Sequence, residues 1–249
     1  MPNNFFCKTQ HLNVLEKPNS NSNISSEIIY GEKFNLLSKT KNFYKIKNQY
    51  DNYIGYVKIS KLNNNLNPTH KIKVLKSKIY RGIFKKKIAT KKFLSFGSRI
   101  EILKEEKKFI MFEKNKWIKS SEICQIKEKN RNFSRIFKLF LNCPYKWGGK
   151  TFKGIDCSAL IQVYYKYNNK YFPRDTVDQI KIKKGFKNKK NYRKGDIIYW
   201  KGHVAVCLNS KFLIHAYGPK KKVVIMPIYK TIDLINKTAN LKVKKIFKI

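Results

Sequence analysis

The chain is poor in several of the residue patterns that mark specialised proteins. Its 249 residues include five cysteines, Cys7, Cys124, Cys143, Cys157 and Cys207, which form no CxxC pair and no cluster spaced like metal ligands. An odd count at scattered spacing argues against a disulfide framework and fits a reducing compartment. No run of about 18 apolar residues occurs, so no membrane span is expected. The opening Met1-Pro2-Asn3-Asn4-Phe5-Phe6-Cys7 lacks the long apolar core of a signal peptide, and the simplest placement is cytoplasmic. Arginine is scarce, at 6 residues against 50 lysines, and there are only four histidines.

What the chain has instead is positive charge. The formal net charge is +41, which read functionally would mark a binder of nucleic acid or of an anionic surface. The basic residues are spread along the whole length, however, and no basic block is interleaved with aromatics. Base and phosphate reading favours the bidentate fork of arginine over lysine. Lys, Asn and Ile are all abundant, the mark of a biased composition, so no specific nucleic-acid role is assigned. A field of this sign would still steer anionic substrates, and self-repulsion makes stability salt-sensitive. With 42% hydrophobic and 14% aromatic residues the chain can build real cores.

Three segments emerge. Residues 11–66 read as short strands and turns: Glu27 to Leu37 breaks at Gly31, Asn42 to Ile46 alternates in part, and Tyr53 to Val57 follows the turn signal Asp51-Asn52. Residues 70–124 repeat this weakly, with Phe93 to Leu103 centred on Gly97, then Phe109 to Phe112 and Trp117-Ile118. A repeat of about 60 residues made of short strands predicts two small barrels in tandem, joined by Asn63 to Pro68. From about residue 127 the pattern mixes helix and strand. Phe133, Ile136, Phe137, Phe140 and Leu141 recur at helical spacing until Cys143-Pro144, the stripe of a core-facing helix. A second helix is predicted from Cys157 to about Tyr167 with Asp156 as N-cap. Strands are expected near Asp196–Trp200, His203–Leu208, Phe212–Tyr217, Val223–Ile228 and Leu241–Phe247.

The chemistry centres on Cys157. A thiol is a weak nucleophile until it loses its proton. A helix N-terminus and a neighbouring imidazole are two devices that lower its pKa. His203 and His215 lie on adjacent predicted strands separated by Asn209-Ser210-Lys211. Strand side chains alternate faces, so the two rings share a face only for certain registers. Pairing Leu208 with Phe212 makes them diagonal neighbours; pairing Cys207 with Lys211 puts them directly opposite. A two-residue Asn209-Ser210 turn would separate them. On one face, His203 can take the thiol proton while His215 holds its ring in the useful tautomer. The other cysteines read as buried and inert.

Tyr145-x-Trp147-Gly148-Gly149, Asp156-Cys157-Ser158-Ala159-Leu160, and Gly195-Asp196 followed by Gly202-His203-Val204-Ala205 resemble, in order, motifs of the NlpC/P60 family of papain-like cysteine peptidases. The resemblance covers roughly residues 130–249. One departure is Ala159, where the family often has Gly; Ala suits a helix interior. The fold implied is α+β, a papain-like catalytic domain of helices packed on an antiparallel sheet, preceded by two small all-β SH3-like barrels. The expected bounds are 8–66, 69–125 and 127–249. The resemblance makes Cys157 the nucleophile, His203 the base, His215 the orienting residue and Tyr145 a hydroxyl near the thiol.

Tyr30-Gly31-Glu32 and Asp51-x-Tyr53-x-Gly55-Tyr56-Val57 resemble a bacterial SH3 domain. The combination is similar to γ-D-glutamyl-L-diamino acid endopeptidases acting on murein peptides with a free N-terminal L-Ala. That similarity implies a substrate amine held by Asp175 of Pro173-Arg174-Asp175, with Ser158, Glu32 and Tyr56 as further substrate contacts. Asp175 as a simple helix cap and Glu32 as a solvated side chain are the plain alternatives. No cofactor or metal is implied, the expected partners are murein-derived peptides, and oligomeric state is not legible. Two rival functions remain: a non-catalytic wall- or peptide-binding protein, and a charge-driven nucleic-acid binder.

Overall fold

The structure is a computed structural model that describes residues 4–83, 86–187 and 190–249. It divides into two compact units, residues 1–129 with 150–152, and residues 130–149 with 153–249.

The first unit is all-β. Six strands between Asn4 and Val57 form one antiparallel sheet. Cys7, Val14, Ile28, Phe34, Ile46 and Val57 fill its core. Asp51 closes the turn before the last of these strands, its Oδ1 accepting the Tyr53 N–H at 3.1 Å. Strands between His70 and Gln125 form a three-stranded and a five-stranded sheet around Ile72, Leu94, Ile100, Ile110 and Ile118. The weak repeat has a backbone signature. Gly31 and Gly97 both turn the chain with positive φ, +79° and +78°, at matching points. A long hairpin, Lys76–Ile83 with Lys86–Ser95, was not anticipated. Its lysine-rich strands show little alternation of polar and apolar residues.

The second unit is α+β. Its five-stranded antiparallel sheet runs, in spatial order, Lys222–Pro227, Phe212–Tyr217, His203–Cys207, Asp196–Trp200, Lys245–Lys248. Asp196–Trp200 is buried along its whole length, as befits a strand covered on both faces. Four helices accompany the sheet: α1 Phe133–Leu139, α2 Cys157–Tyr167, α3 Thr176–Gln179 and α4 Ile228–Ala239. The stripe on α1 buries Phe133, Ile136 and Phe137. Leu141 falls beyond the helix end and is 39% exposed, contrary to its predicted place on that face.

The largest departure from the sequence reading is α4. The strand expected from Leu241 begins only at Lys245, and no element was assigned from the sequence to residues 229–240, where α4 lies. Pro227 fixes the backbone before α4, and Thr231 Oγ1 donates to the Pro227 carbonyl at 2.7 Å. Asn240, at φ +50°, ends the helix in the left-handed conformation that Asn tolerates. Buried Ile228, Thr231 and Ile235 mark its inner face.

Among the described residues no helix is long and apolar enough to cross a membrane. All five cysteines are unbridged and buried.

Candidate active site

Cys157 begins α2, and the local sequence explains its place. The Asp156 carboxylate accepts the Ala159 N–H at 2.8 Å, satisfying one of the helix's otherwise unpaired donors. The same carboxylate forms a two-pronged pair with the buried Arg174, Nη1 to Oδ1 at 3.1 Å and Nη2 to Oδ2 at 2.5 Å. Gly148 N–H and Ser158 Oγ also donate to it, each at 3.0 Å. A buried pair is tolerable when its remaining polar atoms are satisfied, and here they are. Gln179 completes the frame by donating to the carbonyls of Ser158 and Pro173, at 3.0 and 2.9 Å. Asp156, Arg174 and Gln179 thus hold the start of α2. In the sequence Asp156 is legible as a cap alone, and nothing there marks Arg174 and Gln179 as part of this frame.

Two hairpins place the histidines. Trp200 pairs with His203 across the two-residue turn Lys201-Gly202, where Gly202 has φ +73°. His203 is therefore the first residue of its strand. In the next hairpin the Asn209 Oδ1 accepts both Lys211 and Phe212 N–H groups at 2.8 Å. This side-chain turn closes a three-residue loop, with Leu208 N–H donating to the Phe212 carbonyl at 2.8 Å. The register follows: Val206 faces Ile214 and Cys207 faces Leu213. His203 and His215 then lie diagonally on one face, the first of the two arrangements that kept them together. His203 Nε2 is 2.9 Å from His215 Nδ1. His215 is fully buried and stacks on Tyr217, with 4.7 Å between ring centroids and 11° between ring planes.

The sulfur meets the backbone on both sides of His203. Cys157 Sγ lies 3.9 Å from the Gly202 carbonyl and accepts from the Val204 and Ser158 backbone N–H groups. The electrostatics correct an expectation. Burial, reinforced by the nearby Asp156 charge, pushes the Cys157 thiol up to about 12, although those N–H groups pull the other way. Burial likewise lowers His203 to about 4 and His215 well below its ordinary value, the latter also opposed by His203. Desolvation is the largest influence on each of the three groups, and for each it favours the neutral form.

The other anticipated residues are more dispersed. Tyr145 has its hydroxyl pKa raised, by burial first and then by Cys157 and Asp156, which places it within their field. It shares a cleft of about 550 Å³ with His203, Tyr217, Lys201, Lys220 and part of α4. The Ser158 hydroxyl is committed inward, donating to Asp156 and accepting from Arg174 Nη1 at 2.8 Å. Asp175 precedes α3 but makes no side-chain cap bond; its carboxylate is half exposed, with Oδ1 3.9 Å from Arg174 Nη1. Glu32 and Tyr56 belong to the first unit. Glu32 is buried there, accepting the Ile29 N–H at 2.5 Å, so it is not a solvated side chain. Tyr56 sits on a strand opposite Lys45 and Leu15. Among the described residues no group of three or more His, Cys, Asp or Glu side chains is placed to hold a metal.

The site thus consists of a cysteine at a helix start, its sulfur against the backbone on either side of His203, and a hydrogen-bonded pair of imidazoles on an antiparallel sheet. Residues 142–237 match the NlpC/P60 family and residues 14–62 match the bacterial dipeptidyl-peptidase SH3 domain, so the chain carries both domains. It is 37% identical over 81 residues to dipeptidyl-peptidase 6 of Lysinibacillus sphaericus, covering 31% of this chain and 28% of that protein. It is 32% identical over 101 residues to γ-D-glutamyl-L-lysine dipeptidyl-peptidase of Bacillus subtilis, covering 37% of this chain and 34% of the relative. The chain thus spans about a third or less of the length of these curated relatives. An NlpC/P60 family protein from Bacillus cereus shares the fold across both chains, with TM-score 0.80, 16% identity and coverage of 98% and 99%.

Proposed function

We propose that this chain is a cysteine endopeptidase that hydrolyses the γ-D-glutamyl–diamino acid bond of murein peptides bearing a free N-terminal L-Ala. The observation that carries the proposal is the contact of Cys157 Sγ with the backbone flanking His203, whose ring is bonded to His215. The Bacillus subtilis relative is named a γ-D-glutamyl-L-lysine dipeptidyl-peptidase, and that chemistry is extended here to this chain.

Burial favours the neutral thiol and the neutral imidazole, and in this reading His203 acts as a general base when the substrate arrives. Its free ring nitrogen takes the Cys157 proton as Sγ bonds to the γ-carbonyl carbon of D-Glu. The tetrahedral oxyanion is met by the Cys157 backbone N–H and the Tyr145 hydroxyl. The C–N bond then breaks, and protonated His203 gives its proton to the departing diamino acid amine. Water, deprotonated by His203, attacks the thioester; the bond to sulfur breaks and the thiol recovers its proton. Asp175, half exposed beside Arg174, is assigned to the substrate ammonium, and Ser158 to a supporting contact.

The test is incubation with L-Ala-γ-D-Glu-diaminopimelate and its N-acetylated form, with products identified by mass. Release of L-Ala-D-Glu from the free-amine peptide is expected, at least about tenfold faster than from the acetylated one, the effect of one lost charged hydrogen bond. Equal rates on the two peptides would remove Asp175 from amine capture. Absence of cleavage of either would favour the binding-protein reading.

A further inference from the structure

We propose that Met226 is a positioning residue whose thioether fixes the tautomers of both histidines, leaving His203 Nδ1 bare to accept a proton. The proposal rests on the reading of His203 as the base. Met226 lies on the strand beside that of His215, facing Leu213 and diagonal to His215, which faces Val224. Its sulfur is 3.4 Å from His215 Nε2. The other nitrogen of that ring, Nδ1, is 2.9 Å from His203 Nε2.

Three linked atoms leave two ways to place the protons. A thioether carries no proton and can only accept. In the first arrangement His215 Nε2–H donates to the sulfur, so His215 Nδ1 is an acceptor. His203 must then donate its Nε2–H, and its Nδ1 is the lone pair. In the second arrangement both rings are reversed. His215 Nε2 then turns a lone pair toward the lone pairs of sulfur, inside a fully buried ring environment. His203 would carry its hydrogen on Nδ1 and could take no proton from a thiol. The sulfur therefore selects the first arrangement at a distance of two residues from the thiol. Desolvation keeps both rings neutral, so one tautomer pair must prevail over the other. When His203 accepts a proton at Nδ1, its Nε2–H already donates to His215, and no group has to reorient. Methionine here is more than an adaptable core filler.

The test is ¹⁵N NMR of the imidazole rings, with alkylation of Cys157 by iodoacetamide across pH located by mass spectrometry, in wild type and Met226→Leu. Leucine keeps the apolar volume and removes the acceptor. Wild type is expected to show His203 as the Nε2–H tautomer. In Met226→Leu the Nδ1–H form should grow and alkylation at pH 7 should slow about fivefold, the factor of one weak hydrogen bond. An unchanged tautomer ratio and alkylation profile in the variant would reduce Met226 to packing. Should the variant fail to fold, wild type alone decides: an Nδ1–H ring at His203 overturns the proposal. Neither readout uses a peptide, so failure to cleave murein peptides would leave this result standing, and the reverse also holds.

Discussion

Cys157 and His203 are both driven toward their neutral forms, and this has a consequence for stability. An unfolded histidine titrates near 6.5, whereas folded His203 is lowered to about 4 and His215 is lowered as well. Between those values the unfolded chain binds protons that the folded chain does not. Stability therefore falls as pH drops from about 6.5 toward 4. Cys157 acts at the other end: the folded thiol keeps its proton to about 12, against about 9 when unfolded, so its contribution is lost as pH rises above 9. Thermal melts should show a Tm that drops by several degrees between pH 7 and pH 5, with a smaller drop in His203→Gln. Equal drops in the two proteins would show that this ring is not the group being desolvated. Residue identity made Cys157, His203 and His215 readable, because few side chains offer that chemistry. Arg174, Gln179 and Met226 were not readable as part of the site. Their roles depend on partners distant in sequence, and each also has an ordinary structural use.

At the scale of elements, α2 is the best-specified piece of the molecule. Asp156 is its cap, its charge partner in Arg174 is buried, and Cys157 follows directly. Asparagine caps about as well as aspartate, so Asp156→Asn isolates the charge. Removing the charge that faces the buried Arg174 guanidinium should cost about 3 kcal/mol, read as a lower urea midpoint with an unchanged slope. A loss under about 0.5 kcal/mol would mean that Arg174 finds another anion or water. The element boundaries that were legible have a local cause: Asp156 before Cys157 and Gly202 between two strands. The stop expected at Cys143-Pro144 was not one of them, because α1 already ends at Leu139 with Phe140 as its C-cap. The loop of three residues at Asn209 was one of several options, and a side-chain turn decided it. α4 was hidden because Val223 to Ile228 reads as an uninterrupted strand into its first turn. Its apolar spacing begins only at Ile228, inside what reads as the end of that strand, and continues at Ile232 and Ile235.

At the scale of the whole molecule, composition was the least informative feature. A charge of +41 would by itself favour a nucleic-acid partner, yet the second unit builds a specific site, Cys157 against the backbone beside His203 and His203 bonded to His215, that needs none. The all-β character of the first unit was legible from its short strands and Gly-centred turns, since a turn at positive φ restricts residue choice. Its split into three sheets was not, because strand pairing depends on long-range register. The central claim is that one sulfur carries the acyl group. The most direct measurement is intact-mass analysis after rapid quenching of the enzyme with L-Ala-γ-D-Glu-diaminopimelate, comparing wild type, Cys157→Ala and His203→Ala, with far-UV circular dichroism confirming that each variant is folded. The account predicts a dipeptidyl adduct on Cys157 in wild type and turnover reduced by at least about a thousandfold in both variants. Turnover retained by folded Cys157→Ala would contradict it.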